Sequence, residues 1–253
     1  MGSTVLAVIL LLFEPIGAIF DNVGASAHSA GVGFLDHTAY LTITYFSSTT
    51  KNLSALLEIS ARNHSHLCPR QILGVRIGLA GMAALGLEAN HGGKRLLVIL
   101  ETDGCFADGI TAATDCTVGH RTLRVEDYGK VAATFVDTKT GRTVRVAPVL
   151  DVRKQACECC PEEPRHYFAQ IQAYQIMPDE KLLTITEVQL TPPIEQVISR
   201  PGVRVDCASC GEEIMNEREL IVDGQPLCRA CAGGSYYQMP VKMPVFSLPD
   251  HFA

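Results

Sequence analysis

The sequence predicts an α+β fold, in which a mixed and mainly antiparallel sheet packs against helices and a small zinc-binding module follows. Helical and strand-like segments are interspersed without the regular alternation of a doubly wound fold. Residues 129–149 have the pattern of a β-hairpin, and four cysteines near the C-terminus form two C-x2-C pairs. With 47% hydrophobic and 19% charged residues among 253, the chain can bury a substantial core.

The first fifty residues are expected to stand apart from this fold. They contain no Lys or Arg, and the apolar run at residues 5–13, followed by Ala25-Ser26-Ala27, is typical of a signal peptide. The basic segment that opens a signal peptide is missing, however, and Glu14-Pro15 interrupts the run before it could span a bilayer. We therefore expect residues 1–50 to be a disordered extension. The alternative is an exported protein in which residues 1–27 act as a signal peptide.

Two helices are predicted at the start of the ordered chain. Residues 52–62 carry apolar side chains at helical spacing, with Asn52 as the N-cap. A second helix is predicted from Pro69, a residue favoured in the first turn, to about Glu88, before the sequence NHGG stops it. Its closely spaced glycines would weaken an isolated helix, so we interpret them as a stripe for close packing.

The remaining elements of the first domain complete a mixed sheet. Residues 95–101 form a continuous apolar run of strand length, and the hairpin at 129–149 carries Gly141 in its loop. The segment 105–116 is predicted as a short helix or a loop. Residues 166–177 are predicted to be helical, and residues 181–190 alternate as a strand does.

Pro192-Pro193 is predicted to end the first domain. The expected organisation is an N-terminal extension at 1–50, a core domain at 51–191, a zinc finger at 192–234 and a tail at 235–253.

The strongest motif lies at residues 207–231 and predicts a structural zinc site. Tetrahedral zinc takes four thiolates at about 2.3 Å, and two C-x2-C turns supply them from Cys207, Cys210, Cys228 and Cys231. A segment this short cannot bury enough apolar surface to fold alone, so the metal supplies stability. An even count of ten cysteines would suggest disulfides in a secreted protein, but the two C-x2-C pairs match a zinc site better. We therefore expect a reducing compartment, the cytoplasm.

The charge distribution disfavours nucleic acid as a partner. The chain carries a net charge of −6, and residues 203–234 contain three Arg against six acidic residues. Binding of a phosphate backbone needs a concentrated basic face. We expect the finger to contact a protein partner instead, and we expect no membrane association.

A second candidate site combines residues from two separate segments. Cys68 precedes the helix that begins at Pro69, where free N–H groups stabilise a thiolate. Cys105 and Asp108 follow the buried strand at 95–101. If helix and strand pack together, these groups and His66 meet, either as ligands of a second transition metal or as a cysteine nucleophile with a histidine base.

Several other residues are weaker candidates. Lys130, at the start of a strand, can point into a site, although exposure is the default for a lysine. Cys116 and His120 bracket a short turn and could join a metal site. The cluster of Cys157, Cys159 and Cys160 either binds a second metal or consists of loop thiols, and we favour loop thiols. No dinucleotide, Walker A or serine-hydrolase motif is present in the sequence.

Four segments in this order resemble the FmdE family, which takes its name from a component of formylmethanofuran dehydrogenase: residues 56–87, 99–135, 174–190 and 207–231. The resemblance covers about residues 52–232. It implies an α+β core domain followed by a treble-clef-like zinc finger, with the protein usually a homodimer.

The family motif G-H-x-C-P-G corresponds to Ser65, His66, Cys68, Pro69 and Arg70, so both flanking glycines are replaced here. A second motif corresponds to Glu101, Cys105 and Asp108, and a Gly-Lys pair to Gly129 and Lys130. The resemblance thus implies a catalytic set made up of His66, Cys68, Cys105, Asp108 and Lys130.

Two functions follow from this resemblance and from the motifs. The first is a metal-binding catalytic or accessory subunit that works with a molybdenum or tungsten enzyme of formylmethanofuran dehydrogenase-type one-carbon metabolism. The alternative is a non-catalytic zinc protein that docks on a protein partner through its finger. An exchangeable metal in addition to the structural zinc would favour the first.

Overall fold

The computed structural model describes residues 53–62, 64 and 66–238 of the chain. The predicted N-terminal extension, the predicted helix cap Asn52 and most of the predicted tail therefore lie outside the described residues, as does Ser65. None of the helices in the described ranges combines the length and the apolar character that crossing a bilayer requires.

A five-stranded sheet lies at the centre of the first domain. Its strands are β1 (Leu96–Leu100), β2 (Leu123–Val125), β3 (Ala133–Asp137), β4 (Thr143–Pro148) and β5 (Leu183–Glu187). Their spatial order is β2-β1-β3-β4-β5. β1 and β2 run parallel, whereas the other pairs are antiparallel. The predicted mixed, mainly antiparallel sheet is thereby confirmed.

The described chain contains four helices in segments where the sequence pattern allowed one, and three shorter ones that were not predicted. In chain order they are α1 (residues 53–61), α2 (Pro69–Leu85), α3 (Cys105–Thr114), α4 (Val152–Cys159), α5 (His166–Ile176), α6 (Asp179–Leu182) and α7 (Ile194–Ile198). The helices that were not predicted are α4, α6 and α7. The segment after β1, predicted as a short helix or a loop, is the helix α3.

The two faces of the sheet are covered by different parts of the chain, because successive side chains of a strand point to opposite sides. Val98 and Leu100 of β1 belong to the main core beneath α2, α3 and α5. Leu97 points the other way and packs with Val136 and with Val197 of α7. The segment that follows Pro193 thus returns to the sheet and leads from it into the finger.

Helices α2 and α3 pack with their backbones in contact. A Cβ atom added to Gly109 would lie 2.9 Å from Cα of Gly74 and would collide with the carbonyl oxygen of Gln71. A Cβ atom on Gly78 would lie 2.7 Å from the Cβ of Ala113. The glycine stripe of α2 is therefore a packing surface, as the sequence predicted.

A buried arginine connects α2 to the C-terminal end of α5. Arg76 is 6% exposed, and its guanidinium donates hydrogen bonds to the carbonyl oxygens of Tyr174 (2.8 Å) and Met177 (2.7 Å). It also pairs with the Asp179 carboxylate at 2.5 Å. These bonds satisfy carbonyl groups that the end of α5 leaves without intrahelical partners.

Two element boundaries differ from the sequence prediction. Helix α2 ends at Leu85 rather than near Glu88, because Gly86 adopts a left-handed conformation (φ 66°) and caps the helix. The strand predicted at 181–190 is shorter, since residues up to Leu182 form the turn α6 and the pairing with β4 ends at Glu187.

The finger contains two small hairpins and a helical turn. β6 (Arg204–Asp206) pairs with β7 (Glu213–Met215), and β8 (Leu220–Val222) pairs with β9 (Gln225–Leu227), both antiparallel. The turn at Ala230–Gly234 follows β9 directly. This arrangement agrees with the predicted treble-clef-like finger: Cys207 and Cys210 lie in the turn of the first hairpin, and a second hairpin and a helical turn follow.

Candidate functional site

The core site lies where α2 and α3 begin. Cys68 is the N-cap of α2 and is 8% exposed, and Cys105 is the first residue of α3. Gly104 precedes it with φ of 70°, a conformation that favours glycine, and turns the chain from β1 into the helix. Because α2 and α3 are in backbone contact, the two thiols lie close enough for Cys68 to raise the pKa of Cys105.

The surroundings of Cys105 act on its thiol in opposite directions. Burial raises the pKa of Cys105, and the hydrogen bond and the negative charge of Cys68 raise it further. The guanidinium of Arg70 acts against them and lowers the pKa of Cys105. The net result is a pKa above the usual value, so Cys105 resists ionisation in this state.

An imidazole and a carboxylate extend the site. His64 Nε2 lies 2.8 Å from Oδ2 of Asp108, and His64 Nδ1 lies 4.0 Å from Sγ of Cys105. The two side chains are 28% and 43% exposed, so solvent reaches this end of the site. If Nε2 carries the proton and donates it to Asp108, the lone pair of Nδ1 is directed at the Cys105 thiol.

Gln71 fixes the backbone beside Cys68. This fully buried side chain accepts a hydrogen bond from the Cys68 N–H (2.7 Å) and donates one to the carbonyl oxygen of Ser60 (2.9 Å). The bridge connects the end of α1 to the start of α2, and therefore holds Cys68 in its position against α3.

Tyr167 of α5 approaches the thiols from the opposite side. Its hydroxyl donates a hydrogen bond of 3.5 Å to the carbonyl oxygen of Leu67. Burial raises the pKa of Tyr167, and the charges of Cys68 and Cys105 add to that effect. The sequence pattern did not identify Tyr167, because about a hundred residues separate it from Cys68 and only the fold brings them together.

The sequence-predicted residues are distributed unevenly around this site. Cys68, Cys105 and Asp108 lie in it, whereas His66 is exposed. The histidine that contacts Asp108 and Cys105 is His64, two positions earlier. His64 lies in the same loop before Pro69 as His66, whereas the family motif corresponds to His66.

The other predicted candidates lie elsewhere. Lys130 is exposed, and its Nζ lies 6.0 Å from the ring centroid of Tyr128. Cys116 is fully buried and burial raises its pKa, while His120 is exposed. The Cys116 thiol accepts a hydrogen bond from Asn90 Nδ2 at 3.2 Å, which makes it part of the core.

The cluster at 157–160 lies mainly on a helix and not in a loop. Cys157 and Cys159 belong to the last turn of α4, and Cys160 caps it. Burial raises the pKa of Cys160, and the neighbouring Cys159 raises it further. In the part of the chain that the structure describes, these thiols do not form a set of three converging metal ligands.

The finger brings together the four predicted zinc ligands. The sulfur atoms of Cys207, Cys210, Cys228 and Cys231 all lie within 4.8 Å of one another. They are the only group of three or more converging His, Cys, Asp or Glu side chains within the described ranges.

Backbone amides prepare these sulfurs for a cation. The Cys228 N–H donates to the sulfur of Cys207 at 3.3 Å, and the Cys231 N–H donates to the sulfur of Cys228 at 3.4 Å. The amides of Cys210 and Cys228 lower the pKa of the Cys207 thiol to about 6. Four convergent thiolates, supported in this way, fit a closed structural zinc site.

Comparison with protein families identifies two matching models. One, described as "FmdE, Molybdenum formylmethanofuran dehydrogenase operon", matches residues 63–184. The other, described as a prokaryotic DksA/TraR C4-type zinc finger, matches residues 202–237. The first range contains the core site, and the second contains all four zinc ligands.

Two individual proteins are similar over most of this chain. A protein of Archaeoglobus fulgidus, described as "Probable S-adenosyl-L-methionine-binding protein", is 29% identical over 247 aligned residues, which cover 88% of this chain and 61% of that protein. The chain thus spans about three-fifths of the length of this relative.

The second is the crystal structure of a tungsten formylmethanofuran dehydrogenase FmdE-like protein from Syntrophus aciditrophicus. It is 22% identical, with a TM-score of 0.48 over 74% of this chain and 95% of that chain.

The FmdE model covers both core thiols and the starts of α2 and α3, and the zinc-finger model covers the four cysteines of the finger. Residues 63–184 of the chain therefore match the FmdE family, and residues 202–237 match a four-cysteine zinc finger.

Proposed function

We propose that this metal-binding FmdE-family protein is a catalytic or accessory subunit in molybdenum- or tungsten-dependent, formylmethanofuran dehydrogenase-type one-carbon metabolism. We further propose that its reactive site consists of Cys68, Cys105, His64 and Asp108. One observation carries this proposal: inside the family domain, the His64 imidazole contacts both the Asp108 carboxylate and the Cys105 thiol, and Cys68 lies beside Cys105.

The order of contacts supports a thiol chemistry. Asp108 holds His64 through Nε2, and Nδ1 then accepts the proton of Cys105, in the way that a third group orients the base of a nucleophilic cysteine. The 4.0 Å between Nδ1 and Sγ must shorten before the proton transfers, and catalytic contacts commonly tighten when substrate binds.

A second transition metal is the other chemistry proposed for these residues, and it requires their donor atoms to move closer together than the structure places them. Two thiolates and an imidazole are soft or intermediate ligands that suit zinc and related metals. Cys68, Cys105 and His64 would be the ligands, and His64 would have to give up its contact with Cys105 to coordinate through Nδ1. The metal would act there as a Lewis acid.

Metal content and complementation together test the proposal. Anaerobically purified wild-type protein should contain more than one metal ion per chain, and Cys68→Ala should return the content to a single zinc. In cells that lack this chain, wild type should restore formylmethanofuran dehydrogenase activity of extracts, whereas Cys105→Ala should fail. Cys159→Ser, which changes an exposed thiol outside both sites, is the matched control and should behave as wild type.

The alternative, a non-catalytic zinc protein that docks through its finger, is favoured by exposed apolar groups there. Met215, Val222 and Tyr236 are 48%, 42% and 96% exposed. This alternative predicts that Cys105→Ala complements as well as wild type and that metal content stays at one zinc per chain. The same experiment therefore separates the two functions.

A further inference from the structure

The sheet face opposite the core helices forms the floor of a cleft of about 1410 Å³. Strand register places Arg124, Ile99, Thr134 and Arg145 in one row across β2, β1, β3 and β4. All four line the cleft. The opposite wall is formed by the linker, residues 188–200 between β5 and the finger, and by the finger itself. It includes Leu190, Ser199, Glu217, Glu219 and Ile221.

Some charged groups in the cleft neutralise one another. Arg145 forms a bidentate pair with Glu101, with N–O distances of 2.5 and 2.7 Å. Arg200 pairs with Glu217, with Nε 2.7 Å from Oε1. Because these pairs are satisfied within the chain, they call for no ligand.

Two charged groups of opposite sign are not satisfied. The Nη2 atom of Arg124 and the Oε2 atom of Glu219 are both buried, and neither has a hydrogen-bond partner among the residues that the structure describes. A buried donor or acceptor without a partner costs free energy, and native proteins contain few of them. Both residues line the same cleft, one from its floor and one from its wall.

The positive charges near Arg124 increase the need for an anionic partner. Burial lowers the pKa of Arg124, and the guanidinium groups of Arg218 and Arg121 lower it further. Arg121 is already engaged, since its Nη2 donates to Ser199 Oγ at 2.9 Å and to the Ile198 carbonyl oxygen at 2.8 Å. The carboxylate of Glu126 acts in the opposite direction, but its effect is the smallest of the four and the pKa of Arg124 stays lowered. A carboxylate or a similar group from outside the chain would therefore be stabilised beside Arg124.

A ligand that carries only negative charge would not match all of the residues that line the cleft. Glu219, which has an unsatisfied oxygen, lines the cleft together with Glu126 and Glu195, so a polyanion would be repelled. Apolar side chains of Ile99, Leu190 and Ile221 lie between the polar groups. The lining suits a ligand that has both charges and an apolar body.

We propose that this cleft binds a zwitterionic ligand of the amino-acid class, with its carboxylate on Arg124 and its ammonium group on Glu219. The inference goes beyond the function proposed above, because none of the thiols or histidines of the core site lines the cleft. The wall is connected to the sheet through Val197 and through the Arg121–Ser199 hydrogen bond, and residues 200–202 are bonded to the finger, since the Gly202 N–H donates to Asn216 Oδ1 at 3.0 Å and Arg200 binds Glu217.

Three probes that share a benzyl body test the assignment: L-phenylalanine, 3-phenylpropanoate and phenethylamine. In titrations followed by amide NMR shifts of the full-length protein, L-phenylalanine should bind most tightly. Arg124→Met should weaken L-phenylalanine and 3-phenylpropanoate by roughly ten- to a hundred-fold and leave phenethylamine unchanged, since a charged hydrogen bond contributes about that much. Glu219→Gln should weaken L-phenylalanine and phenethylamine only.

Arg142→Gln is the matched control, because Arg142 forms an exposed ion pair with Glu187 on the sheet and does not line the cleft. It should bind all three probes as wild type does. The proposal is overturned if 3-phenylpropanoate binds as tightly as L-phenylalanine, if no probe shifts cleft resonances, or if Arg124→Met affects the three probes equally. Glu219→Gln preserves side-chain shape, so its result stands even if Arg124→Met folds poorly.

Discussion

At the scale of single residues, the state of the Cys105 thiol depends on two neighbours that act in opposite directions. Burial raises its pKa, Cys68 raises it further through a hydrogen bond and charge, and Arg70 lowers it. Arg70 stands where the motif that this chain resembles has a glycine. The substitution therefore supplies a cation beside the Cys105 thiol, and that cation favours its anionic form.

The opposing influences predict opposite effects of two substitutions on Cys105. Cys68→Ala removes a group that raises the pKa of Cys105, so more thiolate forms near neutral pH and alkylation by iodoacetamide should be several-fold faster. Arg70→Gln removes a group that lowers this pKa, so alkylation should be several-fold slower. Peptide-resolved mass spectrometry of zinc-loaded protein measures the Cys105 rate. A change of the same sign in both variants would contradict this assignment.

At the scale of elements, the distance between the two thiols is set by how closely α2 and α3 approach. Gly74 and Gly109 permit backbone contact between the helices, and the thiols lie at the starts of the same two helices. A side chain at this crossing would separate the helix starts. Packing of the glycine stripe and assembly of the core site are therefore one structural event.

This coupling predicts that Gly109→Ala is costly. Its Cβ would collide with the Gln71 carbonyl oxygen, and we expect a loss of about 1–3 kcal/mol in the free energy of unfolding, as for other overpacked sites. The match is Gly119→Ala, because Gly119 has no atom within 4 Å of an added Cβ, and its cost should stay within about 0.5 kcal/mol. Urea unfolding measures both, and equal costs would refute the close-packing account.

The elements themselves could be predicted because their signals are local. Pro69 marks the start of α2, and Gly141, with φ of 76°, marks the turn of the β3–β4 hairpin. The identity of the site histidine could not be predicted, since His64 and His66 differ only in how the loop between α1 and α2 directs them. That direction depends on tertiary contacts with Asp108.

The cleft lined by Arg124 and Glu219 could not be predicted either, because it too depends on tertiary contacts. Arg124 lies in β2 and Glu219 lies just before β8, and only the return of α7 to the sheet brings the finger opposite that strand. Neither residue belongs to a motif. Their significance emerges only when the burial and hydrogen bonding of each charged atom are known.

At the scale of the whole molecule, the finger and the sheet have separate sources of stability. The core residues under α2 and the smaller cluster at Val197 all lie outside the finger that matches the zinc-finger model, residues 202–237. The finger has four strands of three residues each, which cannot bury enough apolar surface to fold without the metal. Contacts such as Arg121 with Ser199 join the sheet to the start of the linker and involve no finger residue.

Removal of zinc should therefore unfold the finger and leave the sheet intact. After chelation, or in Cys207→Ser, amide hydrogen exchange should become fast across residues 204–238 and stay slow in β1, β3 and β4. Cys159→Ser should retain both zinc and protection, because that thiol lies outside the finger. If the zinc-free finger kept its amide protection, these four cysteines would not be its stabilising ligands. If protection were lost in the sheet as well, the finger and the sheet would not be stable independently of each other. Because the finger forms one wall of the cleft, Cys207→Ser should also abolish L-phenylalanine binding, while alkylation of Cys105, which lies outside the finger, continues at the wild-type rate.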